Sequence, residues 1–220
     1  MKTKRFIAFA VSLAFAALML SACTNSPEVD TAPENDPLLI MDEILEYAYL
    51  TTIPAYVTIS DYQFSTELTE LNLTSMGLTD EDIEPLQYLI NLTVLLLSVN
   101  EISDLTPLAG LTNLTHLDLN FNEIYDLTPL SGLYNLETLH LMRNEISDIT
   151  PLAGLTNLVF LRLGGNVITD VTPLGGLTNL ELLDLRHNEI TDVTPLDELI
   201  NSERVFLALD NNPISDFTAD

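Results

Sequence analysis

From Leu89 onward the apolar and polar positions repeat with a period of 22 residues. Five full units follow one another: LINLTVLLLSVNEISDLTPLAG (89–110), LTNLTHLDLNFNEIYDLTPLSG (111–132), LYNLETLHLMRNEISDITPLAG (133–154), LTNLVFLRLGGNVITDVTPLGG (155–176) and LTNLELLDLRHNEITDVTPLDE (177–198). Imperfect units flank them. Residues 68–88 carry Met76 where the others carry asparagine, and a last unit runs from Leu199 with its asparagine at Asn212. A fixed period of this length belongs to a solenoid, in which each unit buries its apolar face only against its neighbours. Numbered from the first leucine of each full unit, with the two flanking units aligned to these on their L-x-L core, L7-x8-L9 puts two leucines on one side of a short strand and the intervening residue on the other. The leucines then point inward, and the stacked strands form a parallel sheet on the concave wall. The proline ladder Pro107, Pro129, Pro151, Pro173 and Pro195 removes a backbone donor at each step, which suits a convex side without sheet. About a dozen residues remain for the return path, enough for turns or a 3₁₀ stretch and too few for a long helix. Asn100, Asn122, Asn144, Asn166, Asn188 and Asn212 form a ladder at the turn after each strand, where a buried amide can satisfy open backbone groups.

The pattern L-x-x-L-x-L-x-x-N-x-I-x-D-x-x-P-L resembles the leucine-rich repeat, and its 22-residue form is similar to that of the bacterial internalins. The resemblance implies an α/β solenoid with a curved parallel sheet on the concave face and short turns or 3₁₀ segments on the convex face. It also implies protein binding through the concave face and no cofactor. Before the repeats, DPLLIMDEILEYAYL has apolar residues near helical spacing behind Asp36-Pro37, so residues 38–64 are expected to be a small helical N-terminal cap. The repeat domain itself is assigned to residues 65–220.

Charge narrows the choice of partner. The chain has 33 acidic residues against 7 lysines and arginines, a formal net charge of −26. Nucleic acid, which requires a basic footprint, is excluded as a partner. The basic residues Lys2, Lys4 and Arg5 precede an apolar stretch from Phe6 to Leu20, and Leu20-Ser21-Ala22-Cys23 follows. That is the layout of a secretory signal. The L-S-A-C string resembles the bacterial lipobox and contains the single cysteine of the chain, Cys23. The resemblance implies removal of residues 1–22, lipidation of Cys23, and retention at the outer face of the cytoplasmic membrane or at the outer membrane. Residues 23–37, rich in proline and polar groups, are expected to be a disordered tether.

Positions 6, 8 and 10 face the concave side. Position 6 carries Glu70, Val94, His116, Thr138, Phe160, Leu182 and Phe206. Position 8 carries Asn72, Leu96, Asp118, His140, Arg162, Asp184 and Ala208, and position 10 includes Met142 and Arg186. Arg143 and His187 fall at position 11, on the rim. Beyond the leader, every arginine and histidine except Arg204 therefore lies on one surface of a strongly acidic chain. The row Asp118, His140, Arg162, Asp184 has two readings, a charge ladder that compensates itself across strands and a binding site. Phe160, Leu182 and Phe206 form an apolar stripe facing solvent, which marks a contact surface. The expected ligand face thus comprises Phe160, Leu182, Phe206, His116, His140, Arg162, Arg186, Asp118, Asp184 and Met142.

Other constellations carry less. Asp80, Asp104, Asp126, Asp148, Asp170, Asp192 and Asp216 form a ladder that could hold calcium. Each sits at a turn, where an aspartate more simply accepts backbone N–H bonds. His116 and His140 lie diagonally on neighbouring strands with no third ligand to complete a zinc site. No nucleophile–base pair, phosphate loop or zinc motif is present, so no catalytic residue is assigned. The function expected is a non-catalytic, surface-anchored binding protein recognising a protein or another surface polymer. Its rivals are a structural envelope lipoprotein and an enzyme with an unrecognised site. The last unit ends without a recognisable cap and leaves Leu209 and Ile214 at the edge, which raises the prospect of a homodimer through that end.

Overall fold

The computed structural model describes residues 68–202 and 204–214. Cys23, the expected lipidation residue, the expected leader, tether and cap at 1–22, 23–37 and 38–64, and Glu203 and Asp216 lie outside the described residues. Within them, seven three-residue strands form one parallel sheet in chain order. They are β1 (Glu70–Asn72), β2 (Val94–Leu96), β3 (His116–Asp118), β4 (Thr138–His140), β5 (Phe160–Arg162), β6 (Leu182–Asp184) and β7 (Phe206–Ala208). Position 6 pairs with position 6 and position 8 with position 8 across all seven strands, so the rows read from the 22-residue period are the observed rows.

The strands occupy positions 6–8, one step earlier than the L7-x8-L9 core expected from the leucine spacing. Parallel bonding does continue past them, from Leu119 N to His140 O (2.8 Å) and from Phe121 N to Met142 O (2.8 Å). The extended run stops because position 11 turns left-handed: φ is 62° at Val99, 57° at Phe121, 54° at Arg143, 75° at Gly165 and 56° at His187.

The core is a column of leucine and isoleucine. In the unit 111–132, Leu111, Leu114, Leu117, Leu119, Ile124, Leu127 and Leu130 are all buried to 1 % exposure or less, and the neighbouring units repeat the set. A lone unit would present two bare faces of these side chains to water, so only stacking buries them. The return path is a 3₁₀ turn in each full unit, at Thr106–Leu108, Thr128–Leu130, Thr150–Leu152, Thr172–Leu174 and Thr194–Leu196, with proline in its first turn. The preceding aspartate starts each turn: Asp104, Asp126, Asp148, Asp170 and Asp192 accept the N–H of the threonine two residues on at 2.8–2.9 Å. Among the described residues, short α-helices occur at α1 (Asp80–Ile83), in the first irregular unit, and α2 (Asp197–Ile200), where the last full unit passes into the irregular one.

The asparagine ladder bonds as its burial requires. Asn144 donates from Nδ2 to Leu119 O (3.0 Å) and Leu141 O (3.1 Å) and accepts Ile124 N–H at Oδ1 (3.1 Å). Asn122, Asn166 and Asn188 repeat this scheme, and Asn100 and Asn212 adapt it at the two ends. A second, exposed ladder at position 3 runs alongside. Asn113, Asn135, Asn157 and Asn179 each donate to the backbone carbonyl of position 2 in the preceding unit at 2.8–2.9 Å.

Candidate ligand-binding face

The strand alternation that buries Leu117, Leu139, Leu161 and Leu183 turns the side chains at positions 6 and 8 to the opposite side of the sheet. Phe160 and Phe206 stand there 41 % and 67 % exposed, with Leu182 in register between them. No polar partner requires phenylalanine at these positions, and each leaves a large ring in water.

The position-8 row compensates itself across strands in part: the Arg162 charge also lowers the Asp184 carboxyl from the neighbouring strand. Asp184 is only 4 % exposed. Its Oδ2 meets Arg186 Nη2 at 2.6 Å, and its Oδ1 accepts Arg186 Nε (2.9 Å) and Arg186 N (3.1 Å). The ion pair therefore runs along one strand rather than across to Arg162. Burial alone would raise the Asp184 carboxyl, but the Arg186 hydrogen bonds and charge together hold it below the usual carboxylate range. Gly164 makes room for it, since a Cβ there would lie 3.2 Å from Asp184 Oδ1. Asp184 thus holds Arg186 in place and, being nearly buried, presents little of its carboxylate to a ligand. Asp118 Oδ1 accepts Asn120 N–H at 3.0 Å, and Asn120 Oδ1 accepts Met142 N–H at 2.7 Å. Among the described residues, the Arg186–Asp184 pair is the one ion pair within 4 Å, which leaves Arg162 half-buried and unpaired.

His140 lies between Asp118 on β3 and Arg162 on β5. Its burial holds it below the ordinary histidine range. Asp118 opposes that shift, while Arg162 and His116 reinforce it, and the net effect favours the uncharged ring. His116, exposed, pairs through Nδ1 with Thr115 Oγ1 at 2.8 Å, and His187 Nε2 lies 3.2 Å from Asn211 Nδ2. Among the described residues no group of three or more His, Cys, Asp or Glu side chains is placed to hold a metal ion.

Sequence reasoning missed two members of this surface, Val99 and Phe121. Both are 48 % exposed at position 11. The Arg143 guanidinium carbon sits 5.5 Å from the centroid of the Phe121 ring, within cation–π range. The signal was present in the column itself. Position 11 reads Ser75, Val99, Phe121, Arg143, Gly165, His187 and Asn211, with bulky residues where a left-handed turn favours glycine.

Two hollows lie off the sheet's centre. One of about 250 Å³ is lined by Glu137, Asn157, Val159, Asn179, Glu181 and Arg204, so the arginine that falls outside the concave rows sits among carboxylates. The other, about 550 Å³, lies against β7 and is lined by residues that include Phe206, Leu207, Leu209 and Ile214.

Models of paired leucine-rich repeats match residues 90–133, 112–154 and 156–198. Among solved structures, internalin C2 from Listeria monocytogenes is 33 % identical, with a TM-score of 0.59, over 86 % of this chain and 94 % of that one. A second Listeria monocytogenes internalin is 26 % identical over 83 % of this chain and 64 % of that one, with a TM-score of 0.49. The leucine-rich-repeat ectodomain of the Arabidopsis thaliana membrane receptor kinase GASSHO1/SCHENGEN3, solved in complex with Casparian strip integrity factor 2, is 26 % identical. It covers 69 % of this chain and 19 % of that one, with a TM-score of 0.60. No curated protein matches the sequence.

Proposed function

The chain belongs to the leucine-rich-repeat family and is similar to the internalins of Listeria, and from that premise we propose that it is a non-catalytic binding protein held at the bacterial cell envelope. The ligand is a protein, taken up on the concave sheet. The observation that carries this reading is the row Phe160, Leu182, Phe206: large apolar side chains in register on the side of the sheet away from the core, two of them well exposed. A monomer gains nothing by displaying them, whereas a partner that covers them gains roughly 25 cal/mol for each Å² of apolar surface removed from water. His116, His140, Arg162 and Met142 complete the contact surface, and Asp118, Asp184 and Arg186 shape it.

The segments before the repeats are assigned in the same reading. Residues 1–22 are a cleaved leader, Cys23 is the lipidated first residue, residues 23–37 form a tether and residues 38–64 cap the first repeat of the 65–220 solenoid. The lipobox-like Leu20-Ser21-Ala22-Cys23 supports the anchor. Detergent phase partition tests it: the parent enters the detergent phase, and Cys23→Ser leaves it. A Cys23→Ser protein that partitions like the parent removes the lipid.

For the face itself, the parent and a Phe160→Asp/Leu182→Asp/Phe206→Asp variant of matched thermal stability are used as bait on extracellular and envelope proteins. A partner retained by the parent and lost by the variant places binding on the concave sheet. Equal retention moves it elsewhere, either to the acidic outer surface or to self-association through the β7 end, and the latter would appear as a dimer by sedimentation.

A further inference from the structure

Two properties of the concave side specify more than a generic contact surface. The first is the distribution of charge. The described residues contain no lysine and four arginines. Arg143, Arg162 and Arg186 lie on the sheet face or its rim together with all three histidines of the chain. Arg186 is engaged by Asp184, whereas Arg162 makes no ion pair within 4 Å among the described residues and Arg143 rests on an aromatic ring. Asp118 and Asp184 lie in the same central row, but Asp184 is taken up by Arg186 and Asp118 accepts the Asn120 N–H, so Arg162 and Arg143 are the cations left for a ligand, and further carboxylates border them on both edges. Glu137 and Glu181 precede strands β4 and β6, while Glu123 and Glu145 follow the turns after β3 and β4. At physiological salt, charges more than about 8 Å away are largely screened. A group bound over Arg162 and Arg143 therefore responds to these cations and to the nearby Asp118 and Asp184 rather than to the net charge of −26.

The second property is backbone strain at the rim. Val99 and Phe121 hold φ of 62° and 57°. The left-handed region costs a side-chain-bearing residue roughly 1–2 kcal/mol, and Gly165 shows the residue that would avoid it. Every unit turns left-handed at this position, so the strain belongs to the repeat; what singles out Val99 and Phe121 is that a bulky apolar side chain is kept there, half-exposed, where glycine would relieve the strain. Phe121 stands beyond the end of β3, while Leu182 and Phe206 stand at the starts of β6 and β7. Three strand spacings of about 4.8 Å and five residues of about 3.3 Å separate Phe121 from Leu182, a diagonal of roughly 20 Å. Arg162 and His140 lie between these two apolar ends.

We propose that the partner presents an elongated acidic segment with an apolar residue at each end, about 20 Å apart, laid diagonally across the concave sheet. The proposal rests on the concave-face reading given above. One apolar end packs on Val99 and Phe121 and the other on Leu182 and Phe206. Carboxylates of the segment pair with Arg162 and Arg143. The span corresponds to six or seven extended residues at about 3.3 Å each, or some fourteen helical residues at about 1.5 Å each. The acidic borders favour basic residues in the partner outside the two anchors.

The test is selection of random dodecapeptides on the immobilised full chain at 0.15 M salt and pH 7. Enriched peptides are then titrated against Arg162→Ala, Phe121→Ala and the triple aspartate variant, each first shown to melt like the parent. The expected result is a set of net-negative peptides with apolar residues near both ends, weakened at least tenfold by Arg162→Ala and by Phe121→Ala. Enrichment of neutral or basic peptides that lose binding only to the triple aspartate variant overturns the acidic segment and leaves the concave face standing. Peptides that bind every variant equally overturn both readings, and a selection with no enriched sequence overturns the linear segment.

Discussion

The asparagine ladder gives an ordered set of stabilities that can be worked out bond by bond. In Asn144→Ala, Leu119 O keeps the Nδ2 bond of Asn122 (3.1 Å), and Leu141 O keeps that of Asn166 (2.9 Å). Only Ile124 N–H is stranded. One buried orphan donor costs about 1–3 kcal/mol, and the two weakened carbonyls add about 1 kcal/mol between them, for a total near 2–4 kcal/mol. Asn100 differs because Met76 stands where the preceding asparagine would be. Asn100 Oδ1 accepts both Met76 N–H (3.1 Å) and Leu78 N–H (3.0 Å), and its Nδ2 bonds Leu73 O (3.0 Å), which no other amide reaches. Asn100→Ala strands three groups and should cost about 3–5 kcal/mol, less than three full penalties because this end is partly wet. Asn135 donates to Thr112 O on the exposed flank, where water replaces it, so Asn135→Ala should cost under about 1 kcal/mol. Urea unfolding with m held common gives all three. An Asn135→Ala loss equal to that of Asn144→Ala would refute the reasoning, as would an Asn100→Ala loss no larger than the Asn144→Ala one.

Val99→Asn should stabilise by about 0.5–1.5 kcal/mol, since asparagine tolerates the left-handed region and valine does not. Gly165→Ala should destabilise by at least about 1 kcal/mol, because its φ is 75° and a new Cβ would meet Arg143 Cγ at 3.1 Å. Thermal melts check both. In the same experiment Gly175→Ala should cost about 1–3 kcal/mol while Gly176→Ala stays within about 0.5 kcal/mol. A Cβ at Gly175 would lie 2.6 Å from Pro195 O, and one at Gly176 would meet nothing within 4 Å. Asp126, Asp148 and Asp170 are held below the ordinary carboxylate range, first by the hydroxyl and then by the N–H of the following threonine. Groups with depressed folded values stabilise above about pH 3.9 and lose that contribution as pH falls through the folded value. The stability gap between the parent and Asp148→Asn should therefore narrow on acidification below pH 4, as read from urea midpoints along a pH series.

Register was legible in the sequence because the period fixes it. A row such as Phe160, Leu182, Phe206 follows from counting by the period and allowing for the longer last step. The role of the asparagine ladder followed from a buried polar type at a turn. Three things were not legible, each for a physical reason. The Asp184–Arg186 clamp depends on the space left by Gly164, which no periodicity reports. The left-handed position 11 is filled by residues that propensity would place elsewhere, so Val99 and Phe121 looked like ordinary turn residues. The exposed ladder of Asn113, Asn135, Asn157 and Asn179 repeats as faithfully as the buried one, but its bonds to the preceding unit depend on how the units stack, which the letters do not report.

The direction of the asparagine bonds has a consequence for how such a molecule changes over time. Each buried asparagine in a full unit ties its own strand exit to the unit before it and makes no demand on the unit after it. A cut of 22 residues between equivalent positions leaves every remaining tie with a partner of the same kind. Loss of 133–154 would set Phe160 beside His116 and delete His140, Met142 and Arg143 together, with the leucine column closing over the gap. Unequal recombination can thus lengthen, shorten or reorder the recognition surface in whole steps of about 4.8 Å. Specificity and architecture are inherited separately, the first as an order of interchangeable tiles and the second as the joint between them.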